Sequence, residues 1–100
     1  MGKIVIWSRQ ALKQTEQVHK HILEETLSLK TADKVINALF DSSEVLENQP
    51  ELYPLDRFKI KNNGTYRAYE KYHYRITYRV LKDKIRILRV RHTSREPLKH

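Results

Sequence analysis

The chain begins with a short apolar run and continues with two stretches of helical periodicity. Residues 3–7 are rich in β-branched side chains and stop at Ser8, whose hydroxyl can cap a helix. Apolar residues then recur every three or four positions over 9–27, and a second such stripe runs over 32–48. With Thr31 as the cap of the second stripe, the short link between them predicts an antiparallel helix hairpin.

The second half of the chain alternates apolar and polar residues, which is typical of strands. Residues 58–61 alternate in this way up to Asn63-Gly64, a dipeptide that favours a hairpin turn. Strand, two helices and then consecutive strands predict one α+β domain over residues 1–100, with an antiparallel β-meander and the helices packed on one sheet face. The strands of this meander are expected at 65–72, 74–81 and 84–92.

Charge divides the chain into an acidic part and a basic part. Residues 1–56 contain 6 Lys and Arg against 9 Asp and Glu, whereas residues 57–100 contain 14 against 3. In segments 74–80 and 85–92 the basic residues alternate with apolar ones, so the cations are expected on the sheet face away from the helices. A fixed array of cations indicates a partner rich in phosphate, such as nucleic acid, or an acidic protein segment.

Several classes of protein are disfavoured by composition. The absence of cysteine argues against disulfide scaffolds and most zinc sites, and His19 and His21 are too close in helical register to share a face. We therefore expect no metal and no cofactor. No apolar run approaches the ~20 residues of a membrane span, and the apolar run at the start of the chain is too short for a signal peptide. We therefore expect a cytoplasmic protein without membrane contact.

The aromatic residues and one histidine are the candidates for chemistry. Five of the six tyrosines lie between residues 66 and 78, among arginines. Such rings can stack on unpaired bases, or they can simply fill cross-strand pairs in the sheet. His92 ends the last predicted strand beside Arg91, where a neutral imidazole could accept a proton near a phosphate, or could be structural.

The ordered set of motifs resembles the RelE/ParE superfamily of bacterial toxins from type II toxin–antitoxin systems. The likeness covers nearly the whole chain. It rests on the opening strand with Trp7-Ser8, the helix hairpin, the loop with Pro50 and Pro54, and the segments 74–80 and 85–92. The resemblance implies a toxin held inactive by a cognate antitoxin, with operator DNA bound only through that antitoxin.

The superfamily contains toxins that cleave mRNA in the ribosomal A site and toxins that poison DNA gyrase. Segments 58–61, 74–78 and 94–96 resemble the basic positions of the RNA-cleaving branch. Such cations stabilise the charge that develops when a 2′-hydroxyl attacks the adjacent phosphate. The likeness implies a metal-independent site with catalytic Arg75, His92 and Arg95, with Glu70 as a second candidate for proton transfer, and with substrate-binding Lys59, Lys61, Tyr72 and Tyr78.

Two features favour the gyrase-directed alternative. Segment 88–92 also resembles a strand of that branch, and no aromatic residue follows Tyr78, although some RNA-cleaving relatives use a C-terminal tyrosine. The resemblance thus implies ribosome-bound mRNA as the first expected target and DNA gyrase as the alternative. A domain that binds an antitoxin but has lost toxicity is a third possibility.

Overall fold

A four-stranded sheet with two helices against one face forms the fold. The computed structural model describes residues 2–94 and residue 100. The predicted α+β class, with a first strand, a helix hairpin and an antiparallel meander, is confirmed. Along these residues the elements are β1 (Ile4–Trp7), α1 (Arg9–Thr26), α2 (Leu29–Ser42), a 3₁₀ turn (Glu44–Glu47), β2 (Tyr66–Lys71), β3 (Tyr74–Val80) and β4 (Lys84–His92).

The strands lie in the order β1-β4-β3-β2, so the first strand is an edge strand beside the last. β1 runs parallel to β4, with Trp7 opposite Ile87, whereas β2, β3 and β4 pair antiparallel. Two parallel strands must be joined by a long crossover connection, and here the helices form the first part of the connection from β1 to β4. The meander agrees closely with the predicted strands, but the sequence pattern did not predict the parallel partner of β1. No helix among the described residues is both long and apolar enough to span a membrane.

Helix α1 begins at the residue predicted to cap it. Ser8 Oγ accepts a hydrogen bond from the backbone N–H of Ala11 at 3.0 Å. The helix ends where Leu27 takes a left-handed conformation with φ 54°. A local cap therefore starts this element where the sequence pattern predicted.

Helix α2 begins after Ser28, so the prediction of Thr31 as its cap is wrong. Ser28 Oγ accepts a hydrogen bond from the backbone N–H of Thr31 at 3.1 Å, which places Thr31 in the first turn. The helix ends at Ser42 and does not continue to Asn48. The hydroxyls of Ser42 and Ser43 donate to the carbonyls three residues earlier, and such bonds compete with the helical ladder.

The core lies between the helices and the sheet. Three strand tyrosines belong to it, because Tyr69, Tyr74 and Tyr78 are 6%, 7% and 0% exposed. The structural interpretation of these tyrosines is therefore confirmed. The aliphatic part of the core consists of the fully buried residues Leu39, Leu46, Ile76, Ile85 and Ile87.

The prediction of a strand at residues 58–61 is wrong, since this stretch forms turns. Asn62 fixes them, because its Nδ2 donates to the carbonyls of Asp56 and Tyr66 at 3.3 and 2.9 Å. Lys61 has a φ of 52° and Gly64 a φ of 92°, both outside the strand region. Side-chain hydrogen bonds to the backbone thus override the apolar alternation here.

A bulge in β4 decides which of its side chains face the helices. Tyr78 pairs with Ile87, but the preceding Thr77 pairs with Arg89, so Leu88 is an extra residue in the strand. The extra residue reverses the alternation, which brings Arg89 to the same side as Arg86. Ser8 Oγ donates to the carbonyl of Leu88 at 3.1 Å, so the cap of α1 also holds the bulge.

Candidate functional site

The sheet face away from the helices, which we call the open face, carries the cations as predicted. Its arginines stand opposite one another, since Arg79 pairs with Arg86 and Arg75 with Arg91. Like charges directly opposite each other on a sheet are destabilising. This face therefore favours an anionic partner. The strand register assigns to it Tyr66, Ala68, Glu70, Arg75, Thr77, Arg79, Arg86, Arg89 and Arg91.

A cavity of about 130 Å³, the central cavity, opens on this face. The turn segment before β2 supplies one wall, the open face supplies the floor, and residue 100 lies against that turn. The residues that line the cavity are Asp56, Arg57, Phe58, Glu70, Arg75, Thr77, Arg89, Arg91, His92, Thr93 and His100.

One buried carboxylate organises the central cavity. Asp56 is 2% exposed. Its Oδ1 accepts hydrogen bonds from Arg75 Nη2 at 2.8 Å and from the backbone N–H of Phe58 at 3.0 Å. Its Oδ2 lies 2.6 Å from His100 Nε2. A single carboxylate thus holds a guanidinium group and an imidazole in one place.

The pKa of Asp56 lies below its ordinary value. Burial acts to raise it, but the hydrogen bonds from Phe58, Arg75 and His100 and the charge of Arg75 outweigh burial. Asp56 is therefore an ionised acceptor, and His100 must donate from Nε2. A neutral His100 then has Nδ1 as its basic nitrogen, which is the arrangement of a general base.

Residue 100 is also held through its backbone. The N–H of His100 donates to the carbonyl of Phe58 at 3.0 Å, and the main-chain oxygen of His100 accepts from Ile60 N at 2.6 Å. Its ring meets Tyr66 edge to face at a centroid distance of 6.2 Å. These contacts set the position of the imidazole in the central cavity.

Two guanidinium groups of the central cavity lie against the ring of Phe58. Arg57 Cζ and Arg75 Cζ lie 4.9 and 4.8 Å from the centre of the Phe58 ring, at cation–π distance. Among the arginines of this cavity, only Arg75 has a carboxylate partner within the described residues. Nε of Arg91 is buried and has no hydrogen-bond partner there. The cavity can thus accept an anion that compensates this charge.

Of the predicted catalytic residues, Arg75 lies in the central cavity beside Asp56, and Glu70 lies opposite it on β2. His92 lies at the rim, because it pairs with the core residue Tyr74, and their rings are 5.2 Å apart. His92 Nδ1 accepts a hydrogen bond from the backbone N–H of Ser94 at 3.0 Å. The predicted catalytic residue Arg95 lies outside the described residues.

The two predicted substrate-binding lysines lie apart. Lys59 Nζ is 4.6 Å from the centre of the Tyr66 ring and lines a groove next to the central cavity. Lys61 is exposed on the turn and lines neither the central cavity nor this groove. The structure therefore brings Lys59 close to the site and leaves Lys61 outside it.

The two tyrosines predicted to bind the substrate also differ in their exposure to solvent. Tyr72 lies in the β2–β3 turn with 47% of its surface exposed, and Lys71 Nζ is 4.9 Å from its ring centre. Tyr78 is fully buried, and its hydroxyl donates to the carbonyl of Pro50 at 2.9 Å. The prediction that Tyr78 binds the substrate is wrong, because no nucleobase can reach a ring inside the core.

The sequence patterns missed Asp56 and His100. Asp56 follows the proline-containing loop, where no periodicity marks a residue as buried. His100 is 44 positions away from it, and a pairing over that distance leaves no local signal. The one sequence signal that could have found Asp56 is the excess of cations in the residues that follow it, which a carboxylate can pair with.

Comparison with protein families identifies a match over most of the chain. The family described as "ParE toxin of type II toxin-antitoxin system, parDE" matches residues 5–97. No curated protein sequence matches the chain.

Several solved structures share the fold, among them the following three. A structure titled "Chromosomal ParDE TA system from P. aeruginosa" has a TM-score of 0.72 at 18% identity and covers 90% of this chain and 95% of its own. The E. coli DinJ-YafQ toxin-antitoxin complex has a TM-score of 0.60 at 16% identity. The match covers 94% of this chain and 96% of the matched chain. The YoeB dimer from Staphylococcus aureus has a TM-score of 0.56 at 16% identity. The match covers 92% of this chain and 98% of the matched chain.

Proposed function

The chain belongs to the ParE toxin family of type II toxin–antitoxin systems, within the RelE/ParE superfamily, and we propose that it is an endoribonuclease toxin that cleaves ribosome-bound mRNA without a metal. One observation carries the proposal. Arg75 and His100 each lie within hydrogen-bond distance of Asp56, in a cavity rich in arginine. An acid–base group next to fixed cations is what cleavage of a phosphodiester requires.

His100 would perform the proton transfer. The 2′-hydroxyl gives up its proton as its oxygen attacks the neighbouring phosphorus, and the 5′-oxygen of the next nucleotide takes up a proton as it leaves. His100 Nδ1 is the basic nitrogen for this exchange because Asp56 accepts from Nε2. A positioned acid–base group contributes about 10²–10⁴-fold to such a reaction.

The arginines would stabilise the phosphoryl oxygens. Arg75 is held by Asp56 and by the Phe58 ring, while Arg89 and Arg91 have no carboxylate partner among the described residues. Cations fixed before the reaction need no reorganisation as charge develops on the phosphate. In this proposal His92 lines the rim, and His100 takes the role that the sequence pattern assigned to His92.

The test is a translation reaction in which the 3′ ends of the message are mapped. The wild type is expected to cut the message, and Arg75→Ala and His100→Ala to reduce cutting by about 100-fold or more. Lys20→Ala, which removes an exposed charge from α1, is the matched control and should cut like the wild type. Intact message with the wild type would overturn the proposal.

His92→Ala distinguishes the two histidines. If His100 transfers the proton, His92→Ala retains most of the cutting because its ring packs on Tyr74 at the rim. Loss of cutting in His92→Ala together with full cutting by His100→Ala would return the role to His92.

A second candidate function is inhibition of DNA gyrase without catalysis. The family description names ParE, and the ParDE structure has a higher TM-score than the other two relatives. In a supercoiling assay, this function predicts inhibition that persists in Arg75→Ala and His100→Ala. Unchanged supercoiling at excess toxin would remove its support.

A cognate antitoxin is the protein partner of a toxin in this family. Expression of the chain alone is therefore expected to arrest bacterial growth, and co-expression of the antitoxin to restore it. Normal growth without antitoxin would favour a domain that has lost toxicity, over both proposed activities.

A further inference from the structure

A small pocket lies between α1 and the sheet, at the end where β3 begins and β4 stops. We call it the polar pocket, and its volume is about 180 Å³. Its α1 residues occupy positions i, i+3, i+4 and i+7, so they share one face of the helix. The residues that line it are Gln14, Gln17, Val18, His21, Tyr74, Val90, His92 and Ser94. Because Tyr74 and Val90 belong to the core, the polar pocket lies on the helix side of the sheet, away from the open face.

The polar pocket offers hydrogen-bonding groups with little charge. Among the described residues, its lining contains two glutamines, two histidines and a serine, but no lysine, arginine, aspartate or glutamate. The open face differs in this respect, because arginines stand opposite one another on it. Amide and imidazole groups hydrogen-bond to the edges of nucleobases or stack on them, whereas cations bind phosphates. The lining therefore suits a nucleobase better than a phosphate.

Two side chains of the polar pocket are held in place by the protein itself. Gln14 Oε1 accepts a hydrogen bond from Val90 N, which fixes its amide group against β4. His92 Nδ1 accepts from Ser94 N, and the His92 ring meets the Tyr74 ring edge to face. Side chains that are ordered before binding lose less conformational entropy when a ligand arrives. This part of the pocket is therefore preorganised.

A strained turn holds His92 from the other side. Tyr72 and His73 have φ values of 51° and 67°, a left-handed conformation that usually requires glycine or asparagine in a two-residue hairpin turn. The carbonyl of His73 accepts from Thr93 N at 2.7 Å, and its ring lies 6.4 Å from the ring of His92. Strained backbone persists where the surrounding contacts require it. Here those contacts fix the end of β4.

His92 lines both the polar pocket and the central cavity, so it forms the wall between them. Successive residues of a strand point to opposite faces, and at the end of β4 Arg91 is on the open face whereas His92 is on the helix side. The two sites therefore adjoin around the end of one strand. A nucleotide with its phosphate in the central cavity has the polar pocket beside it.

We propose that the polar pocket binds one nucleobase of the RNA whose phosphate lies in the central cavity, so that α1 decides which base is preferred beside the cleavage site. This inference rests on the proposed nuclease function and adds a base preference to it. Gln17 and His21 hydrogen-bond to the edge of the base, and the fixed ring of His92 packs on it. A wrong base leaves donors or acceptors unpaired, which is the origin of the selectivity.

The first test measures base preference in a translation reaction. The message carries one randomised codon, and sequencing of its 3′ ends reports which bases flank the cuts. The variant is Gln17→Ala with His21→Ala, which leaves the bond between Gln14 and Val90 intact. The matched control is Lys20→Ala with Glu24→Ala, two exposed α1 residues outside the pocket lining. Thermal melts verify that both proteins are folded.

The wild type is expected to prefer one base at one position beside the cut by about tenfold, the discrimination of a well-placed pair of hydrogen bonds. The Gln17/His21 variant should lose this preference, and the control should keep it. If the double variant unfolds, Gln17→Ala alone should lower the preference by about threefold. Cutting with the wild-type preference in the Gln17/His21 variant would overturn the pocket and leave the nuclease standing.

A binding measurement separates failure of the pocket from failure of the nuclease. The probes are the four 2′-O-methyl homodinucleotides, which lack the attacking hydroxyl, and the imidazole NMR signals of His21 and His92 report binding. One dinucleotide is expected to shift both signals more than the other three, and inorganic phosphate to leave His21 unchanged. These shifts without any cutting would overturn the nuclease and leave a nucleobase pocket. Equal shifts from all four dinucleotides, no shift from any, or the same His21 shift from phosphate would overturn the base-selective pocket.

Discussion

At the scale of single residues, Asp56 explains why so many cations can lie together in the central cavity. It is nearly inaccessible to water, yet it remains ionised because Phe58, Arg75 and His100 donate to it. A buried charge is tolerated only when it is paired and hydrogen-bonded in this way. The same contacts place a guanidinium group and an imidazole side by side.

Replacement of Asp56 is expected to destabilise the protein. Asp56→Asn leaves the half-buried Arg75 and His100 without their counter-charge, so the free energy of unfolding should fall by about 3 kcal/mol. Urea denaturation measures this, with Glu70→Gln, an exposed carboxylate on the same face, as the control. Equal stability of Asp56→Asn and wild type would contradict the role of this carboxylate.

The pH dependence of stability follows from the direction of the Asp56 pKa. Because its pKa in the folded state is lower than in the unfolded chain, Asp56 contributes stability above the unfolded pKa of about 3.9. That contribution should be lost as the pH falls from this value through the folded pKa. Denaturation at several acidic pH values should show a steeper loss for wild type than for Asp56→Asn, and parallel curves would contradict the expectation.

Tyr78 is expected to affect stability and not RNA binding. Burial raises the pKa of its phenol to about 12, with smaller opposing effects from a backbone hydrogen bond of Tyr53 and from the charge of Arg67. Tyr78→Phe removes the donor to the partly buried Pro50 carbonyl and should cost about 1–2 kcal/mol of unfolding free energy. Thermal melts test this against Tyr72→Phe, whose exposed hydroxyl should contribute nothing measurable.

At the scale of elements, the start of α1 and the bulge in β4 depend on one another. Ser8 Oγ accepts from Ala11 N and donates to the carbonyl of Leu88, the extra residue of the bulge. A few residues further on, Gln14 Oε1 accepts from Val90 N at 2.7 Å. The first helix therefore holds the part of β4 that turns Arg89 and Arg91 toward the open face.

Ser8→Ala should accordingly lower the free energy of unfolding by more than the loss of a helix cap alone would. It removes the α1 cap and the bond to the bulge together, so a loss of about 2 kcal/mol is expected. Ser28 only caps the exposed start of α2, so Ser28→Ala should cost about 1 kcal/mol. Chemical denaturation of the two variants measures the difference. Equal losses would contradict the link between the helix cap and the bulge.

At the scale of the whole molecule, charge is concentrated on one side. The chain has a formal net charge of +8, and arginines of β3 and β4 face each other across the strands of the open face. Their mutual repulsion destabilises the fold when no anion is bound. A surface of this kind exchanges some stability for binding.

Removing one of these charges should stabilise the free protein. Arg86→Gln relieves the repulsion with Arg79 and should raise the free energy of unfolding at low salt by about 0.5 kcal/mol. The gain should shrink as NaCl is added, because salt screens exposed charges. Denaturation at several NaCl concentrations tests this, and lower stability of Arg86→Gln at low salt would contradict it.

The order of elements, both helices and the three meander strands could be predicted from sequence, because periodicity, helix caps and turn residues act between neighbours in the chain. The errors occurred where a side chain bonded to the backbone. Ser28 replaced Thr31 as a cap, and Asn62 converted the alternating residues 58–61 into turns.

The sequence by itself determined the family, the fold class and the concentration of cations on one sheet face, since these follow from local patterns and from the register of strands with period two. Only the tertiary structure decided which residues meet. It placed Tyr78 in the core, separated Lys59 from Lys61, and joined Asp56 to Arg75 and His100. Contacts between distant positions depend on packing in three dimensions, and nothing in the neighbouring sequence specifies them.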